Sequence, residues 1–480
     1  MSKSRSKVEF GDFQTPPSLA RAVCELLVQR TISPASIIEP NCGTGSFVRA
    51  CLERFKTSSV VVATDINERY IASLKPILDG EFPSANVDVF CADFYQTNWQ
   101  EILKHLQEPL LVIGNPPWVT NAGLGVIGGS NLPEKSNFQK RAGLDAITGK
   151  ANFDISEWML IREAEWLNGR AGTLAMLCKK AVARKVLLHA WKNSMQIRRS
   201  DIYPVDAKSH FNAAVESCLL VCDFVPGYAS KECGVHLGLQ HGPMAATFGL
   251  RDSRLVADVS AYERSKCLAG RSEKLRWRSG IKHDCADVME FHREGNTYRN
   301  GLGERVELEQ DYLYPLVKSS MLANGAEITW DRWMLVTQRH VGEDTSRIKQ
   351  VAPKTWKYLC DRAERLSRRT SVIYRGNPPF SIFGVGDYTF ARWKVAISGF
   401  YKKLHFKVIG TVVGKPVVLD DTCYFLPCEN EEEAVELANL LNSTAVREFY
   451  NSLIFWDAKR PITVEILSQL RLGPSSNLLF

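Results

Sequence analysis

The run Glu39-Pro40-Asn41-Cys42-Gly43-Thr44-Gly45-Ser46-Phe47 constrains this chain most, because it joins a strand-like segment, 36–39, to a helix-like one that starts at Ser46. A strand that turns through glycines into a helix leaves the first N–H groups of that helix open to a ligand. Such turns belong to sheets in which strands and helices alternate, and the alternation extends well to either side. Periodicity predicts helices over 19–29, 68–78, 98–106, 155–167 and a basic one ending near 193. Strands are predicted over 60–64, 87–91, 110–113, 172–177 and 216–224. The pattern is that of an α/β sheet. It fades past Val225-Pro226-Gly227-Tyr228, which predicts three parts: a loose, basic, serine-rich tail over 1–9, a first domain over 10–228 and a second over 229–480. In the second part the clearest elements are helices over 429–442 and 464–470.

Composition narrows the class. With 480 residues, 45% hydrophobic and 24% charged, the chain has the make-up of a folded protein of two or three domains. Its longest apolar runs fall short of the roughly 18 to 20 residues of a membrane span, and no apolar leader opens the sequence, so a cytoplasmic protein is expected. The 13 cysteines include no Cys-x-x-Cys pair and read as reduced thiols. Cys233, His236 and His241 lack a fourth ligand at finger spacing, so no metal is expected. The net charge of +7 matters less than its placement, since basic residues recur with aromatics over 271–282, 362–375 and 401–407. Such stretches suit a phosphate backbone.

Four strand ends carry the chemistry. The first is the Gly loop; the second ends in Asp65, roughly 20 residues on, where a doubly wound sheet places an acid for ribose hydroxyls. The third ends in Asp93, and the fourth runs into Asn115-Pro116-Pro117-Trp118. Asn115 and Pro116 offer two carbonyl acceptors held rigid by the prolines. Two acceptors grip an NH₂ group and turn its lone pair out of conjugation. Trp118 offers a face on which a base extruded from a duplex can stack.

Together with Gly11-Asp12-Phe13-Gln14-Thr15-Pro16-Pro17, these motifs resemble the S-adenosylmethionine-dependent amino-methyltransferases of DNA, in the gamma-type order of restriction-modification systems. The resemblance implies a Rossmann-like class I methyltransferase sheet followed by a mixed α+β target-recognition domain. It implies that Thr15 meets the methionine end of S-adenosyl-L-methionine, and that Glu39, Asn41, Gly43, Gly45 and Phe47 surround that cofactor. Asp65 would hold the ribose and Asp93 the adenine amine, with Ile66, Phe94 and Asn115 also on the cofactor; Asn115, Pro116, Pro117 and Trp118 would take the target amine. Phe211, in His210-Phe211-Asn212-Ala213, resembles the family's aromatic on the other face of the flipped base, and reads equally as a core residue. Phe153 is read as packing.

Asn115, where cytosine enzymes of this kind carry Ser, implies adenine N6 as the target. RNA and protein glutamine are other substrates of Asn-Pro-Pro-aromatic enzymes. Trp118, the short stretch before the Gly loop and the long basic second half favour double-stranded DNA. The absence of any Glu-x-Lys tripeptide leads us to expect that a separate restriction endonuclease does any cutting. A second Asn-Pro-Pro, at Asn377-Pro378-Pro379-Phe380, has no Gly loop upstream and reads as a turn, although 383–399 resembles the carboxy-terminal part of type II adenine methyltransferases.

Overall fold

A computed structural model describes residues 13–58, 60–119, 154–323 and 328–471. The tail over 1–9, Gly11, Asp12 and Phe153 lie outside them. The chain divides into two compact units, one up to Val259 and the other from Ser260.

The first unit is built on a sheet of ten strands in the order β10-β9-β8-β6-β7-β5-β4-β1-β2-β3. Its centre is β1 (Ser36–Glu39), which pairs in parallel with β2 (Val60–Asp65) on one side and β4 (Leu110–Gly114) on the other. Beyond β2 lies β3 (Val87–Cys91), and beyond β4 lies β5 (Gly172–Lys179), both parallel. The strands β1 and β4 are buried along their whole length, as parallel strands covered by helices on both faces must be. The covering helices are α1 (Pro17–Gln29), α2 (Ser46–Arg54), α3 (Glu68–Glu81), α4 (Trp99–Lys104), α5 (Ile155–Leu167) and α6 (Lys180–Lys192). Several start on a side-chain cap: Asn67 accepts from Arg69 N–H, Asn98 from Glu101 N–H and Asp154 from Ser156 N–H.

Strand order reverses at β1 and β4, so the carboxyl ends of β1 to β4 open on one crevice. The sheet then turns antiparallel through β7 (Ser217–Phe224), which lies between β5 and β6 (Ile197–Val205). After the single-turn helix α7 (Ala207–Phe211), a parallel β8 (Glu232–Val235) extends the edge, with β9 (Ala246–Arg251) and β10 (Arg254–Val256) after it.

Two expectations need correction here. The boundary predicted at 228 falls instead near Val259, because 232–235 pairs with the edge of β6 and two further strands, up to Val256, add on beyond it. The strand β6 itself was not predicted, because Arg198, Arg199, Ser200 and Asp201 form a polar run at its start. That polarity is matched inside the fold. Arg30, from the end of α1, donates to Asp201 at 2.5 Å, to Tyr203 at 2.7 Å and to Asp223 at 2.9 Å. His236, just past β8, stacks on Tyr203 and meets Asp201 at 3.0 Å. A buried carboxylate is tolerated where such partners replace its water.

The second unit contains a four-stranded and a six-stranded sheet. The first has the order β11-β22-β17-β18, formed by β11 (Arg278–Ser279), β17 (Trp393–Ser398), β18 (Lys407–Ile409) and β22 (Cys423–Cys428). The second has the order β14-β13-β12-β16-β15-β21, formed by β12 (Glu290–Glu294), β13 (Thr297–Asn300), β14 (Arg305–Val306), β15 (Leu313–Val317), β16 (Arg332–Leu335) and β21 (Val418–Leu419). A hairpin of β19 (Thr411–Val412) and β20 (Lys415–Pro416) stands apart. Two helices, α8 (Glu431–Asn442) and α9 (Thr444–Leu453), follow; the helix predicted over 464–470 shrinks to one turn, Val464–Leu467.

Candidate active site

The Gly loop is fixed from both sides. The Cys42 N–H donates to the Thr64 carbonyl of β2, and the Gly43 N–H donates to Asp65 Oδ2, each at 2.8 Å. Gly43 and Gly45 hold positive φ angles of 51° and 82°, a backbone region that costs other residues energy. A Cβ on Gly45 would run into Leu74, and one on Gly43 into Gln14. Asp65 Oδ1 also accepts from Asn67 N–H, so this carboxylate shapes the loops after β1 and β2 together. Asp93 accepts from Tyr95 N–H at 2.8 Å at the next strand end.

Glu39 ends β1 and is buried, yet its Oε2 has no hydrogen-bond partner. Burial, with Cys24 and Asp65 near by, pushes its carboxyl well above the usual carboxylate range, against the pull of a backbone bond from Val48. A buried acceptor left unpaired beside a second acid calls for a donor-rich or cationic partner.

The segment 13–15 ties the Gly loop to the fourth strand end. Gln14 Oε1 accepts from the Thr44 N–H at 2.9 Å and from its hydroxyl at 3.0 Å. On either side of Gln14, the Phe13 carbonyl and Thr15 Oγ1 accept from Asn115 Nδ2 at 2.9 and 3.3 Å. A carbonyl can only accept, so the NH₂ of Asn115 must face Phe13. Its Oδ1 is therefore turned the other way, and that oxygen is buried without a partner.

Trp118 is buried and donates from Nε1 to the Leu177 carbonyl of β5 at 3.3 Å. Its ring meets Phe211 edge-on at 5.1 Å and Phe13 at 5.9 Å. A base between two parallel rings needs them about 7 Å apart, two contact distances. The two rings thus touch and leave no slot. Lys179, at the end of β5, donates to the Trp118 carbonyl at 3.0 Å and to Asp154 at 2.5 Å, while the Ile155 N–H donates to the Val119 carbonyl.

The structure thus brings Thr15, Glu39, Asn41, Gly43, Gly45, Asp65, Asp93 and Asn115 to one edge of the sheet, and leaves Ile66 exposed between Asp65 and Asn67. Phe47 and Phe94 stand differently from the other cofactor candidates. Phe47 is buried in the main core, and Phe94 lies buried against Trp99, Trp158 and Trp166, its carbonyl taken by Trp99 Nε1. Sequence reading missed Gln14, Asp154, Lys179 and the Phe13 carbonyl. Gln14 lay inside a recognised motif, but nothing in the sequence links 154 to 179 or to 118.

Asn377 contrasts with Asn115, for its amide donates to the Ile373 carbonyl inside its own loop. Cys233 is buried within β8 and His236 is engaged by Asp201; among the described residues no three metal-ligating side chains converge. No helix among them is long and apolar enough to cross a membrane.

No family model matches the chain. It is 45% identical over 472 residues to the type II methyltransferase M.NspV of Nostoc sp., which covers 98% of this chain and 97% of that one. The chain belongs to the type II methyltransferases. A structure of the type IIL restriction-modification enzyme MmeI in complex with DNA matches its fold with a TM-score of 0.56 and 13% identity, over 98% of this chain and 67% of that one. The cofactor of this type II methyltransferase is S-adenosyl-L-methionine. The site fits that molecule: two glycines keep side chains off the loop, Glu39 Oε2 awaits a donor, and acids stand at the two neighbouring strand ends.

Proposed function

We propose that this type II methyltransferase transfers a methyl group to N6 of an adenine flipped out of duplex DNA, at one recognition sequence, as the modification partner of a separate restriction endonuclease. The observation that carries this reading is the Asn115 amide, with its NH₂ spent on Phe13 and Thr15 and its buried Oδ1 unpaired. An acceptor that cannot rotate away is what an exocyclic amine requires. Asn115 Oδ1 takes one N–H of the target, and the Pro116 carbonyl beside it takes the other. With both hydrogens held, the nitrogen lone pair leaves conjugation and points at the methyl carbon.

When bound, S-adenosyl-L-methionine supplies an electrophilic methyl on a sulfonium. Asn115 Oδ1 and the Pro116 carbonyl would hold the amine nitrogen facing that methyl, which S-adenosyl-L-methionine would give up as a neutral thioether. The nitrogen, now acidic, loses its proton along the Asn115 acceptor to solvent, so no strongly basic side chain is needed. No cysteine nucleophile enters; burial raises Cys42, the thiol nearest the loop, far above its usual range and keeps it protonated. The Trp118 ring stacks on the base once Phe211 moves off its edge, and stacking of this kind contributes on the order of 1 to 3 kcal/mol per base. The Gly loop, Asp65 and Asp93 hold the cofactor. DNA as substrate is further supported by the relative's type II class and by the DNA-bound protein whose fold this chain shares.

The test is modification-sensitive, long-read sequencing of genomic DNA from a methylation-deficient host that expresses the wild type or Asn115→Ala. Methylated adenines in one short motif, with the wild type alone, are expected. Unmodified DNA from cells in which the same protein methylates RNA or a glutamine would overturn the proposal.

A further inference from the structure

Of the three basic, aromatic stretches in the sequence, the first two have several cations engaged inside the fold, although Arg271, Lys274 and Arg276 of the first stay exposed. In 271–282, Lys282 pairs with Asp284 at 2.8 Å and Arg278 lies over the Tyr388 ring. In 362–375, Arg362 pairs with Glu304 at 2.6 Å, Arg368 with Glu364, and Arg369 donates to the Ser381 carbonyl at 2.7 Å.

The third stretch gathers its cations around a hollow. Lys402, Lys403 and His405 are exposed and, with Arg447, Asn451 and Trp456, line a hollow of about 460 Å³. Among the described residues no carboxylate lies within ion-pair distance of Lys402, Lys403 or Arg447, and Lys403 donates only to the Ala323 carbonyl, at 3.4 Å. The hollow is also built firmly. Leu404 and Phe406 are buried and alternate with Lys403 and His405, so the chain plants every second side chain and turns the cations outward. The Asn442 side chain clamps Phe406 by both its N–H, at 3.0 Å, and its carbonyl, at 2.8 Å. The Phe406 ring packs against Trp277 and Tyr450. Arg447 and Asn451 stand one turn apart on α9, on the same face. Burial first, then the charges of Lys407, Arg447 and Lys403, hold the His405 imidazole below its usual range. Like charges gathered without acids on a rigid frame await an anion.

We propose that this hollow is a phosphodiester site, through which the second unit grips the backbone of duplex DNA. The inference rests on DNA being the substrate and adds the surface that holds it. Each phosphate contact releases counterions, so the logarithm of affinity should fall with the logarithm of salt at about 0.9 per contact.

The experiment measures binding of a labelled, non-cognate DNA duplex by the full chain across a range of salt. It compares the wild type, the triple variant Lys402→Gln, Lys403→Gln, Arg447→Gln, and a control triple, Lys354→Gln, Lys357→Gln, Arg368→Gln, whose cations already have acidic partners. If two contacts are lost, the affinity change between about 50 and about 200 mM salt should shrink by roughly tenfold in the first triple only. An unchanged slope, an equal change in both triples, or a wild type that binds no duplex would overturn the assignment. Because the duplex has no target site, the result does not depend on methylation. A chain that methylates adenine yet keeps its slope refutes the hollow alone, and one that grips duplex through the hollow but modifies no adenine refutes the methylation reading alone.

Discussion

Asn115 is held by two acceptors of unequal strength, and that inequality can be tested. Thr15→Val deletes the weaker one, at 3.3 Å, and leaves the Phe13 carbonyl in place. A net hydrogen bond is worth about 1 kcal/mol, so we expect kcat for methylation to fall roughly fivefold with cofactor affinity unchanged. Asn115→Asp replaces the NH₂ with an oxygen that faces the Phe13 carbonyl; we expect methylation to vanish in a stopped assay with labelled cofactor. A second residue, Glu163 on α5, has no role in that chemistry. Both of its carboxylate oxygens are buried and unpartnered, and burial pushes its carboxyl up to about 8. The folded state therefore keeps a proton that the unfolded chain releases. The associated stability is complete below the ordinary carboxylate value and is lost as pH rises from there through about 8. Glu163→Met should remove this slope. Thermal unfolding of the wild type, compared with the variant at about pH 5 and about pH 8, should show a Tm gap that widens at the higher pH.

At the scale of the element, the loop after β4 is positioned by the strand beside it. The carboxyl end of β5 supplies the Leu177 carbonyl to the Trp118 ring and Lys179 to the Trp118 carbonyl, and Lys179 also holds Asp154 at the start of α5. One ammonium group thus joins residues 118 and 154. Lys179→Met takes the ammonium partner from Asp154 Oδ2 and from the Trp118 carbonyl, and displacement at a reacting centre by about 1 Å can cost on the order of 100-fold. We expect kcat to fall on the order of 10- to 100-fold, cofactor affinity to hold, and Lys179→Arg to recover part of the loss. Equal loss of cofactor binding would show that the lysine supports the fold as a whole. The Gly loop is a turn of another kind, made by φ angles and not by an ion pair. Gly45→Ala meets both the left-handed backbone and Leu74, so cofactor binding should fail together with stability, in calorimetry and in urea unfolding.

For the whole molecule, the Arg30 cluster decides where the first unit ends. It links α1 to β6 and β7 and, through His236, to the end of β8. Asp201→Ala leaves Arg30 with one carboxylate fewer in a buried place, and breaking such a pair costs about 3 to 5 kcal/mol. The urea midpoint of the first unit should drop accordingly. A chain cut after Val259 keeps the edge strands on β6, whereas one cut after Pro226 bares that edge and should aggregate, as light scattering would show.

The central sheet and its four strand ends were legible in the sequence because each rests on local rules. Apolar runs of strand length, glycines at a turn, caps before helices and acids at strand ends all act within a few residues of themselves, and their spacing survives in the linear text. The strand β6 was not legible. Its Asp201 is buried by a partner 171 residues away, and a polar run reads as surface until that partner is known. The same reason hid Lys179, whose two contacts lie 61 and 25 residues distant. It also left the three basic stretches looking alike, since only folding shows which cations find acids and which remain for a phosphate. Sequence alone thus determined the sheet, the crevice and the chemical type of its residues. Tertiary structure decided which charges cancel, which acceptors stay unpaired and where each unit ends, because those outcomes depend on groups that are near in space and far apart along the chain.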